Sequence, residues 1–136
     1  MEKLTVLVDR PVVRIGDRLI LDFHNADQLR SVLAGQQFVA VDGDRHRYAS
    51  GLEFLGTPCR LFLNAISLVV SFDGYADPDS VMSLLQVKRF IKRHPALPHS
   101  VHGLAWVGFN CPEGSWRELS FFHDKKQDHT TFRAQL

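Results

Sequence analysis

The residues best equipped for chemistry are seven histidines, at positions 24, 46, 94, 99, 102, 123 and 129. His94, His99 and His102 share the proline-rich segment 94–102. Zinc or iron would accept imidazole together with carboxylate. A centre on His99 and His102 would need a third ligand from His123 or Asp124, and the spacing matches no metal motif. Solvated loop histidines are the simpler reading, and no metal or other cofactor is expected. Acid–base chemistry needs a positioned carboxylate or imidazole near a nucleophile. Asp22 and His24 stand two apart at the end of one strand, so both point to one face and could hydrogen-bond; His123 and Asp124 are adjacent. No nucleophile accompanies them, and there is no GxSxG elbow, HExxH pair, Walker loop or GxGxxG turn. Cys59 and Cys111 sit in mostly apolar company, where a thiol is inert. An enzyme built here would use Asp22, His24, His99, His102 and His123 in one concave pocket.

Binding chemistry has two further candidates. Within 77–93, at about 100° per residue, Lys88, Arg89, Lys92 and Arg93 fall together beside an apolar stripe. Four cations on one helical face could meet phosphates or an acidic protein, although a solvated basic face near a helix C-terminus is ordinary. The second candidate is aromatic. Trp106, Phe109, Trp116, Phe121 and Phe122 all fall in the last predicted hairpin. Both of its faces are apolar, so one needs cover from elsewhere in the chain or from a partner. Trp106, Trp116 and Phe122 are the candidate anchors of a protein interface.

These residues must be positioned by short elements. Leu4–Val8 is a β-rich run, and strands at Val12–Ile15 and Arg18–Phe23 flank the turn signal Gly16-Asp17. A helix follows, with Asn25 and Gln28 placed as in a capping box, an apolar stripe of Leu29, Val32 and Leu33, and Gly35 where a residue of positive φ is wanted. Phe38–Val41 and His46–Ala49 flank Asp42-Gly43-Asp44. Leu61–Phe72 reads as one long buried strand. Asp77, Pro78 and Asp79 start a second helix that runs to about Arg93, since His94 precedes Pro95. Leu104–Cys111 and Trp116–His123 form the final hairpin. The expected fold is α+β, a mainly antiparallel twisted sheet of about six to seven strands with two helices on one face, in the order β-β-α-β-β-β-α-β-β. Residues 1–124 form a single domain and 125–136 a polar tail.

Composition bounds what such a domain can be. The chain has 136 residues, 45% hydrophobic and 23% charged, which suits one globular domain rather than a disordered chain. Sixteen basic and fifteen acidic residues leave a net charge of +1, without the bulk basic footprint of a nucleic-acid binder. The N-terminus lacks the apolar core of a signal peptide, and Leu61–Phe72 is too short and polar to span a bilayer. Two distant cysteines suit a reducing, cytoplasmic setting. The expectation is a non-catalytic binding protein acting through protein–protein contacts, of the inhibitor, immunity or mobile-element adaptor type, with a protein partner or a second copy of itself as a homodimer. The alternative is a nucleic-acid-backbone binder using the basic helix; a small His-dependent or metal-assisted enzyme is the third reading.

Overall fold

The computed structural model describes residues 1–35, 37–41, 43, 46–74, 92–93, 105–110, 114–124 and 126–136. Eleven strands and one helix occur among them: β1 (Glu2–Val6), β2 (Val12–Ile15), β3 (Leu19–Asp22), α1 (Ala26–Leu33), β4 (Val39–Val41), β5 (His46–Phe54), β6 (Thr57–Leu63), β7 (Ser67–Asp73), β8 (Lys92–Arg93), β9 (Ala105–Asn110), β10 (Glu118–Asp124) and β11 (His129–Gln135). They form one mixed sheet in the order β3-β2-β1-β5-β6-β7-β11-β10-β9-β8, with β4 paired to β5 beside that path. The β1–β5 pair is parallel; the other described pairs are antiparallel.

Local chemistry explains several of these elements. Asn25 caps α1 by accepting the Gln28 N–H, and its side-chain amide donates to Gln28 Oε1. The Asp22 carboxylate accepts the His24 N–H and turns the chain from β3 towards that cap. β5 pairs with β6 through a register shift between Ala49 and Leu52. Gly51 lies there at φ 73°, a conformation that glycine adopts at little cost, and the resulting bulge bends the strand. The bend lets one edge of β5 serve β4 near its start and β1 near its end.

The sheet curls around its own core. β1 and β10 are five strand steps apart, about 24 Å in a flat sheet at about 4.8 Å per step. Yet Trp116 Nε1 donates to Leu7 O at 2.8 Å and Ser115 Oγ donates to Val8 O at 2.7 Å. Trp116 meets Phe23 edge to face, with ring centroids 4.9 Å apart. Phe54, Phe132 and Phe121 stack through the interior in succession. Leu29 and Leu33 of α1 join this core from one end.

The α+β expectation with two helices is therefore overturned: the fold is mostly β, with one helix among the described residues. The second helix was placed at 77–93; residues 77–91 lie outside those described, and Lys92–Arg93 form β8, paired to Asn110 and Phe109 of β9. The predicted polar tail 125–136 holds β11, which lies between β7 and β10 and buries Thr130, Phe132 and Ala134. The single strand expected at Leu61–Phe72 is divided between β6 and β7. Asn64 Oδ1 accepts from the N–H groups of Ile66 and Ser67 and from Ser67 Oγ, a local arrangement that reverses the chain. Gly35 does not have the positive φ expected of it; Ala34 ends the helix in the ordinary helical region. No helix among the described residues is long and apolar enough to cross a membrane.

Candidate functional site

The inner face of the sheet is filled by side chains, so accessible groups must be sought on the outer face and at the rims. On β6, Cys59, Leu61 and Leu63 point inward, leaving Arg60 and Phe62 on the outer side. Pairing then fixes two outer rows. Phe62 stands between Tyr48 and Val69, and Val69 is followed by Arg133. Arg60 stands opposite Ser71, which is followed by Thr131. The Tyr48 and Phe62 rings lie 5.0 Å apart, both half-buried, and Arg133 is exposed.

Beside this aromatic pair lies a polar cluster. Arg60 Nη2 donates to His129 Nε2 at 3.0 Å and to Ser71 Oγ at 3.4 Å, and lies 3.6 Å from the Asp73 carboxylate. A guanidinium only donates, so Nε2 is an acceptor here and the neutral imidazole carries its proton on Nδ1. Ser71 Oγ lies 2.5 Å from the same Nε2, within the reach of a serine and its general base. Two features argue against a nucleophile. Ser71 is buried, at 7% exposure, and among the described residues no carboxylate orients the imidazole through Nδ1. Asp73, the register partner of His129, pairs with Arg60 instead. The arrangement links three strands through polar contacts and holds one guanidinium nitrogen in place. A cation fixed next to a half-exposed aromatic pair is chemistry suited to binding.

The residues singled out in the sequence are placed differently. Trp116 is fully buried and bonded to the β1 end, so in this fold it anchors the core. Trp106 and Phe122 are register partners on β9 and β10, at the position continuing the Arg60–Ser71–Thr131 row. Lys92 and Arg93 lie on β8, while Lys88 and Arg89 lie outside the described residues. Asp22 and His24 meet through the His24 backbone. His123 pairs with Asp128 at 2.9 Å across the β10–β11 turn, and His94, His99, His102 and Cys111 lie outside the described residues. Among the described residues no three His, Cys, Asp or Glu side chains gather as a metal site would require. Cys59 is a free, buried thiol, which burial pushes up to about 11.

Sequence reasoning missed Arg60, Ser71 and His129 as a group. The alternation of Arg60 with Cys59 and Leu61 was a visible signal. His129 could not be linked to it while residues 125–136 were read as a tail. Comparison with protein-family models, with curated proteins and with solved structures finds no match to this chain.

Proposed function

We propose that this protein is a non-catalytic binding domain that recognises a partner protein through the outer face of β5, β6, β7 and β11. The observation that carries this reading is the aromatic pair Tyr48–Phe62 flanked by Arg60 and Arg133 on the middle strands of the sheet. Tyrosine and arginine are enriched among the residues that dominate protein interfaces, where a half-buried ring supplies contact area at low entropic cost. Arg60 is held by Ser71 and His129 through one terminal nitrogen, so its guanidinium is oriented before a partner arrives. The partner surface that fits has an apolar centre and carboxylates at its rim.

The test compares the wild-type protein with the variant Phe62→Asp/Arg133→Glu as immobilised baits in an extract of the encoding organism. Both substituted positions face outward, and equal thermal melts check that the fold is kept. Direct binding of the recovered protein is then measured by calorimetry. A specific protein that binds the wild type and loses about 100-fold in affinity to the variant supports the reading. Equal retention on both baits overturns it. So does retained nucleic acid that dissociates between about 0.1 M and about 0.5 M salt, the behaviour of a phosphate-backbone binder.

A further inference from the structure

Arg60, Ser71 and His129 meet at one ring nitrogen, which can serve both partners in only one protonation state. His129 Nε2 lies 3.0 Å from Arg60 Nη2 and 2.5 Å from Ser71 Oγ. A guanidinium has no lone pair to offer, so the first contact requires an unprotonated Nε2. Ser71 differs, because a hydroxyl either donates or accepts. With a proton on Nε2, the imidazolium donates to Ser71 Oγ and keeps that contact with its direction reversed. The contact with Arg60 has no reversed form: two N–H donors, both cationic, would face each other. Histidine is the side chain whose charge ordinarily changes between about pH 5 and about pH 8.

The charged groups around His129 decide where Arg60 goes. Among the described residues, Asp73 on β7 and Asp124 on β10 are the register partners of His129, and Arg60 reaches it from β6 across Ser71. On its own side of the turn, Asp128 pairs with His123. The Asp124 carboxylate accepts the N–H groups of Lys126 and Gln127 and so belongs to the β10–β11 turn. Asp73 lies 3.6 Å from Arg60 Nη2, and its side chain is well exposed. It is the alternative partner for the guanidinium, and such an exposed pair holds weakly in water. One nitrogen of Arg60 thus has a firm site on a neutral imidazole and a loose one on a carboxylate.

We propose that His129 is a proton-operated catch for Arg60: the neutral imidazole holds the guanidinium beside Ser71, and the imidazolium releases it to Asp73. The consequence for binding rests on the outer-face reading, because the cation next to Tyr48 and Phe62 is oriented only while His129 is neutral. The catch itself is read on the protein alone. Nitrogen-15 NMR of the whole chain follows it from about pH 8 to about pH 5. The ring nitrogens of His129 report which of them carries a proton. Exchange of the Arg60 Nη protons with water is compared with that of exposed Arg14, so the intrinsic pH dependence of exchange cancels. The expected result is an unprotonated Nε2 at the upper pH, with Arg60 exchanging about tenfold more slowly than Arg14. Once Nε2 is protonated, the difference falls below about twofold. His129→Gln, whose amide oxygen accepts and does not titrate, keeps the slow exchange at both ends of the range. A proton on Nε2 at the upper pH overturns the proposal, as does an Arg60-to-Arg14 ratio that does not follow Nε2 protonation. So does a folded protein whose His129 stays neutral at about pH 5, or a glutamine variant that loses slow exchange in acid as the wild type does. Failure of the bait experiment, with these NMR results kept, would remove the outer-face reading alone.

Discussion

At the scale of single residues, burial decides which reactive groups can act. The sequence reads Cys59 as an inert thiol because it lies beside Pro58 in mostly apolar company, and the fold places it, buried, on the inward face of β6. Desolvation favours the neutral thiol and raises its titration to about 11, against 9.0 for the free group. A raised thiol means that the folded state holds its proton over a pH range in which the unfolded chain has lost it. Stability from this group therefore falls as pH rises through about 9 and levels off above about 11. In a Cys111→Ser background, the native protein should react with a maleimide at pH 7 about 100-fold more slowly than the urea-unfolded chain. Comparable rates would mean that β6 opens readily or that Cys59 lies at the surface. His129 shows the opposite case. Its chemistry is set by Arg60 and Ser71, partners far away in sequence, and no local pattern around position 129 announces them.

At the scale of elements, short-range chemistry was readable where one side chain could settle the backbone. Val12–Ile15 and the Asn25 cap are where the residue pattern placed them. Asn64 is the instructive failure. Within an apolar run it was read as a polar interruption of a strand, whereas its carbonyl gathers three donors and ends the strand. Trp116 carries a testable consequence, because its indole N–H closes the curl between β10 and the end of β1. Trp116→Phe keeps much of the ring burial but removes the bond to Leu7 O and leaves a small void. The expected loss is about 1–3 kcal/mol, read from the urea unfolding midpoint at unchanged slope. An unchanged midpoint would show that this contact does not hold the two ends together.

At the scale of the molecule, stability depends on the last strand. β11 completes pairing to β7 on one side and β10 on the other, and inserts Phe132 between Phe54 and Phe121. A chain ending at Asp128 would expose two unpaired edges and empty the centre of the core. Such a chain should lose near-UV circular dichroism and its cooperative thermal transition. A retained transition near the wild-type midpoint would restore the reading of 125–136 as a tail. The same long-range pairing explains why the α+β expectation failed. Two pairs join strands far apart in the sequence and tie the sheet together: β1 pairs with β5, and β7 with β11. Periodicity identifies a strand and its faces but carries no information about a partner fifty residues away.

The sequence by itself determined the strand at Val12–Ile15, the cap of α1 and the tight turn at Gly16, because each depends on side chains within a few residues of one another. Only the tertiary structure decided that Trp116 is core, that the C-terminal residues are a central strand, and that Tyr48, Arg60, Phe62 and Arg133 share one face. The reason is physical: facing positions in a curled sheet are set by inter-strand hydrogen bonds and by burial around a common core. Both are properties of the whole chain and of no single segment.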